Sequence, residues 1–301
     1  MLDALWPKLL KQSAPDQGAC LNQPVHRACI GLARIRTTPP RRDAPQLGFE
    51  ALDQGGCVAE IQPQALSLTA ALVQAFVFDR PGYGYSERPR STIWTPWSQA
   101  DLLTNALVQI GVNRAIILGH SWGASVGIAA ALRSPAAVRG LILESGYYYP
   151  SLRADVALFS GLAIPGIGDV LRYTLSPIAA RLLWPVMRRK LFSPAGVAPS
   201  FARFPSSMAM RPSQLRASAE ESALMVPDAM VLQRRYGELR MPVAIVAGTG
   251  DKMVDVDAQS RRLHGEIRQS SLHLVENCGH MVHHTAPRRV MAALEEVARA
   301  A

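Results

Sequence analysis

Beyond residue 75 the apolar positions of the chain gather in short runs with few charges: "AFVFD" (75–79), "AIILG" (115–119), "GLILES" (140–145), "VAIVAG" (243–248) and "LHLVE" (272–276). Apolar runs of that length predict strands covered on both faces, as in a parallel sheet. Between most of them the period changes. In "SQADLLTNALVQIG" Leu102, Leu103, Ala106, Leu107 and Ile110 share one face and the pattern stops at Gly111, while "APRRVMAALEEVARA" closes the chain in the same way. Both predict amphipathic helices. Strands alternating with helices predict an α/β fold on a mainly parallel sheet.

The rhythm is interrupted between the strand ending near Ser145 and the one starting near Pro242, where the patterns are helical and broken by proline. We therefore expect a helical insertion over 147–240, with 75–146 and 241–301 forming the core. The insertion is apolar and rich in methionine ("LLWPVMRRKLF", "FPSSMAMRP", "SALMVPDAM"). That composition suits a cap over a cleft, although any one of these side chains more simply fills the cap's own interior. Residues 1–74 lack the rhythm altogether and form an atypical N-terminal region.

Composition narrows the classes. With 301 residues, 49% of them hydrophobic, the chain is long enough to bury one large core. "MLDALWPKLLKQSAPDQG" has no basic start, apolar middle and small-residue cleavage site, and "DVALFSGLAIPGIGDVLRYTL" is interrupted by Pro165, Asp169 and Arg172. Neither predicts a leader or a membrane span, so a cytoplasmic protein is expected. Cys20, Cys29, Cys57 and Cys278 form no CxxC pair, which favours free thiols over a disulfide framework or a metal site. The net charge is +9, and twelve Lys or Arg against six Asp or Glu lie between Ser151 and Arg240. No nucleic-acid motif accompanies them. A basic surface of this kind can attract anionic lipid or an acidic partner, but scattered arginines more often read as a solvated face, and membrane association is an alternative that is not expected.

Candidate chemistry centres on Gly119-His120-Ser121-Trp122-Gly123, which follows an apolar strand and precedes a run of small residues with helical spacing. A serine pushed clear of a sheet on a tight strand-to-helix turn needs such glycines, because Cβ atoms have no room there. A hydroxyl needs a base to become a nucleophile, and the base needs an orienting acid. Asp251 follows "VAIVAG", and His280 follows "LHLVE", so Ser121, Asp251 and His280 each leave the C-terminal end of a strand. Ligands bind at that end of open parallel sheets. Asp255 and Asp257 compete for the acid, and His283 and His284 for the base; nearness to the strand ends favours Asp251 and His280. The Trp122 amide, at the start of the helix, is a candidate oxyanion donor. His120 is expected to be structural or to line the substrate pocket, and His264 and His273 to be a surface and a strand residue.

On "FDRPGYGYSERP", "GHSWGAS", "AGTGDKMVD" and "CGHMVHH" the chain resembles the α/β-hydrolase superfamily over residues 75–300. The resemblance implies a capped esterase or lipase-like hydrolase that uses no metal or cofactor. It implies a small apolar ester as substrate, cleaved through an acyl-enzyme. Carbon–carbon bond hydrolysis and perhydrolysis use the same residues, whereas the branches acting on haloalkanes and epoxides carry aspartate where Ser121 stands.

The departure lies upstream. Family members carry an apolar strand ending in His-Gly about forty residues before the Asp-Arg-Pro-Gly loop, and the amide beyond it is the second oxyanion donor. Here the chain reads "RRDAPQLGFEALDQGGCVAEIQPQAL", and its one histidine before residue 120, His26, is followed by Arg27. Three explanations stay open: true divergence, a frame error scrambling roughly residues 20–70, or a remodelled oxyanion loop using Gly55 and Gly56. The abrupt return of the pattern at "AFVFDRPGYG" favours the second. A non-catalytic protein with a decayed oxyanion hole is the competing functional class.

Overall fold

The computed structural model describes residues 32–36, 57–61, 74–151 and 160–301, with side chains from residue 76 onward except 202 and 203. Among the described residues seven strands form one sheet: β1 (Leu32–Arg36), β2 (Cys57–Ile61), β3 (Gln74–Phe78), β4 (Ala115–His120), β5 (Val138–Glu144), β6 (Val243–Gly248) and β7 (Ser270–Val275). Their order is β1-β3-β2-β4-β5-β6-β7. The pairs from β4 to β7 are parallel, while β2 runs antiparallel to both its neighbours, β3 and β4, and β1 runs antiparallel to β3. Strands β3 to β7 therefore all point the same way, and their C-terminal ends share one edge.

Period-two alternation splits the core cleanly. Ile117, Leu141, Leu143 and Ile245 face α1 (Pro96–Gln109) and α2 (Trp122–Arg133), while Ile116, Leu118, Ile142 and Val246 face the final helix. α1 starts at Thr95, whose hydroxyl accepts the Ser98 N–H at 3.2 Å, with Pro96 in the first turn. Both are start signals that supply a partner for, or remove, an orphan N–H. α2 is buried almost all round, from Trp122 to Ala131. Its run of glycine and alanine is what lets it lie so close to β4.

Between β5 and β6 the chain is helical among the described residues: α3 (Ile167–Tyr173), α4 (Leu175–Phe192), α5 (Ser206–Ala209) and α6 (Pro212–Leu232). α6 is fixed to the loop after β3. The Arg80 guanidinium bonds the Glu221 carboxylate and, at 3.0 Å, Gln99 Oε1, and the Tyr83 hydroxyl donates to Glu221 Oε2 at 2.7 Å. Arg88 pairs with Glu220 alongside. Arg80 and Glu221 are both buried, so removing either one strands a charge, at a cost of about 3–5 kcal/mol. Beyond β6 come α7 (Arg262–Glu266), α8 (Val282–Thr285) and α9 (Pro287–Ala300), which packs Val290, Ala293 and Val297 on the sheet.

Two expectations change. The atypical region 1–74 holds β1 and β2, and β2 breaks the parallel pattern at the position between β3 and β4. The run "LHLVE" lies in the edge strand β7, whose residues are half-buried rather than enclosed. Among the described residues no helix is long and apolar enough to cross a membrane.

Candidate active site

The strand-to-helix turn at Gly119–Gly123 is tight. Ser121 has φ 53° and ψ −119°, a left-handed backbone that costs a non-glycine residue about 1–3 kcal/mol and persists only where surroundings enforce it. They do so here. The Ser121 N–H donates to the Glu144 carbonyl at 2.8 Å, and the Ser121 carbonyl accepts the Ala124 N–H at 3.1 Å. A Cβ on Gly119 would fall 2.3 Å from the Gly123 carbonyl oxygen, so only glycine fits before the turn. Trp122, the first residue of α2, is buried, and its amide sits at the positive end of the helix dipole.

Asp251 and His280 leave β6 and β7 and meet. His280 Nδ1 lies 2.7 Å from Asp251 Oδ2, and both side chains are almost wholly buried. The other oxygen, Oδ1, accepts the Met253 and Val254 N–H groups at 2.7 and 3.0 Å. A carboxylate can only accept, so Nδ1 carries the proton and Nε2 is left as the basic nitrogen. Asp255 and Asp257 are occupied elsewhere. Asp255 caps the Ala258 N–H at 2.7 Å, and Asp257 pairs with Arg261 at 2.6 Å.

His120 links the serine turn to the histidine loop. Its Nε2 lies 3.1 Å from the His280 carbonyl oxygen, and its ring centroid is 4.8 Å from that of His280 and 4.7 Å from that of His283. Burial first, then the neighbouring His283 and His280 rings, holds its pKa well below the ordinary imidazole value of 6.5. The helical insertion reaches the same loop. The His280 N–H donates to the Leu191 carbonyl at 2.8 Å, and a Cβ on Gly279 would fall 2.5 Å from the Ser193 carbonyl oxygen.

A second histidine–carboxylate pair lies next to the first. Glu144 Oε1 lies 2.9 Å from His283 Nδ1 and accepts the His283 N–H at 2.6 Å, with both side chains fully buried. His284, beside it, has its Nδ1 2.9 Å from the Ser200 hydroxyl and its ring against Phe201. In the sequence His283 stands only as a competitor for the base and Glu144 is not singled out, yet a signal for the pair is present. Glu144 closes the apolar run Gly140–Leu143 of β5, and a charge so placed needs a partner. Phe192 and Phe201 of the insertion bury themselves with Met281 in a small cluster of their own, while Met230 stands exposed. Cys278 is a free buried thiol, pushed up to about 11 by burial. Gly55 and Gly56 lie outside the described residues. The register pairs Cys57 with Gly119, so it is the start of β2, not its end, that lies at the turn.

Comparison with known proteins agrees with this architecture. The family model of the alpha/beta hydrolase fold matches residues 68–287. A 2-hydroxy-6-oxononadienedioate/2-hydroxy-6-oxononatrienedioate hydrolase of Pseudomonas putida is 30% identical over 226 residues, covering 71% of this chain and 72% of the relative. An alpha/beta hydrolase fold protein of Burkholderia ambifaria superposes with a TM-score of 0.68 at 19% identity, over 92% of this chain and 97% of its own. An esterase of Thermogutta terrifontis superposes at 0.57 and 18%, over 90% and 93%. The chain belongs to the α/β-hydrolase family and is a hydrolase.

Proposed function

We propose that this hydrolase cleaves carboxylic esters with an apolar acyl or alcohol part through a Ser121–His280–Asp251 triad. Ser121 Oγ attacks the carbonyl carbon while its proton passes to His280 Nε2, and Asp251 holds the imidazole in the required tautomer. The Trp122 N–H receives the oxyanion, and His120 borders the substrate. Collapse of the tetrahedral intermediate expels the alcohol, which takes the proton from His280. Water, deprotonated in turn by His280, then releases the acid and restores Ser121. These steps need no metal or cofactor. Residues 147–240 act as the cap over a core of 75–146 and 241–301.

The observation that carries this reading is the 2.7 Å His280–Asp251 pair at the same edge of the sheet as a serine held at φ 53°. A second reading, hydrolysis of a carbon–carbon bond by the same residues, is favoured by the name of the Pseudomonas putida relative. A fluorophosphonate probe tests both at once. It should label Ser121 and leave a Ser121→Ala variant untouched. Labelling that persists in the variant would falsify the nucleophile assignment, and a folded wild type that stays unlabelled would point to the non-catalytic alternative. A series of p-nitrophenyl esters set against a 2-hydroxy-6-oxo-dienoate then separates the two chemistries. In the ester reading kcat/KM rises with acyl length, by up to about fourfold per buried CH₂.

A further inference from the structure

Helix α4 is the least packed part of the insertion. Of its eighteen residues Phe192 is buried, while Leu175, Ile178, Leu182 and Val186 are each more than half exposed. Their spacing of three, four and four residues puts them on one face of the helix. α3 adds Ile167 and Val170, exposed to the same degree. Exposed apolar side chains scattered singly need no explanation, whereas a contiguous stripe rimmed by polar residues marks a contact surface.

The charges beside the stripe select its partner. α4 carries Arg181, Arg188, Arg189 and Lys190 and no acidic residue. Arg181 and Arg189 are exposed, and among the described residues neither has an ion-pair partner. Arg189 and Lys190 continue the apolar stripe at its C-terminal end, while Arg181 flanks it. A second copy docking through the same face would bring like charges together, because a two-fold interface is self-complementary. An anionic bilayer supplies both complements: an acyl boundary for the stripe and headgroup phosphates for the cations. The sequence alone reads these arginines as a solvated face. The apolar stripe beside them changes that reading.

We infer that the α3–α4 face docks on the surface of an anionic lipid bilayer, without spanning it. The docked helix is the one whose Leu191 carbonyl holds the His280 amide, so the bilayer lies next to the candidate active site.

The test is co-sedimentation of the full chain with vesicles of 3:1 phosphatidylcholine:phosphatidylglycerol and of pure phosphatidylcholine, with light scattering on the lipid-free protein. The expected result is a monomer that partitions at least tenfold more strongly to the anionic vesicles. Arg181→Gln with Arg189→Gln should weaken that partitioning about 30-fold, and Leu182→Asp with Val186→Asp should abolish it. All four positions are exposed, so melting should stay unchanged, and an altered melt would call for single substitutions read the same way. Equal binding to both vesicles, or none, overturns the inference. So does a dimer that Leu182→Asp dissociates, which would make the partner a second copy. Sedimentation does not depend on turnover, so the inference and the esterase reading can fail separately.

Discussion

Two histidine–carboxylate pairs stand side by side in this molecule, and they differ in what surrounds them. His280–Asp251 is 2.7 Å long, and the carboxylate is fully used: one oxygen on the ring, the other on two backbone N–H groups. His283–Glu144 is 2.9 Å long and completely enclosed, with Glu144 Oε1 taking both the ring and the His283 amide while Oε2 is buried without a partner among the described residues. The Glu144 carbonyl meanwhile holds the Ser121 amide. One pair lies on loops at the sheet edge that also carries the strained serine turn. The other braces that turn from behind. Pairing an imidazole with a carboxylate therefore says nothing about catalysis by itself; what lies beyond the free nitrogen decides.

The largest expected effect separates the pairs by activity. Asp251→Asn keeps an oxygen for the Met253 and Val254 amides but presents an NH₂ to His280 Nδ1, forcing the wrong tautomer. Turnover should fall about 10⁴-fold, with melting little changed. An Asn variant with wild-type turnover would remove Asp251 from the mechanism.

The reverse pattern is expected at the enclosed pair. Glu144→Ala leaves the His283 amide and ring without their acceptor, and His283→Ala leaves a buried carboxylate. Either should cost about 3 kcal/mol of stability, read as a lowered denaturation midpoint, while the folded fraction keeps turnover within roughly tenfold. If Glu144→Ala stayed stable yet lost turnover as Asp251→Asn does, the assignment of the two pairs would be wrong.

The smallest effect is a pH dependence at His120, which touches both pairs. Burial and its histidine neighbours depress its folded pKa, so below about 6.5 the unfolded chain binds a proton that the folded chain resists. The contribution of the neutral ring is thus fully present above pH 6.5 and is lost as pH falls toward the folded value. His120→Gln should flatten that part of the stability profile. Identical profiles for wild type and variant between pH 7 and 5 would refute the attribution.

The residues legible in the sequence are those whose signals are local. Strands β3 to β7 announce themselves as apolar runs, and Ser121, Asp251 and His280 are candidates in the sequence because each follows a strand. β1 and β2 read "LARIR" and "CVAEI", five residues each with polar and apolar positions mixed, and only their partners make them strands. The direction of β2 is likewise set by its neighbours. The Glu144–His283 contact spans 139 positions, and nothing in either local stretch points to the other. The frame-error explanation for residues 20–70 keeps its own test: another reading frame of the coding sequence should encode an apolar strand ending in His-Gly.

The reversed strand has a consequence for how the sheet comes apart. β1 and β3 connect to β4 through the ladder of Cys57–Ile61 alone. Opening that short ladder frees two edges at once and divides the sheet into unequal cooperative units. Amide protons of β3 that bond β2 should therefore exchange with solvent at the rate of β2 detachment, whereas those of β5 and β6, enclosed by parallel neighbours, should wait for global unfolding. Arg80 rides with β3 while Glu221 stays on α6, so the same local event would loosen one anchor of the helical insertion while leaving the Asp251–His280 pair in place.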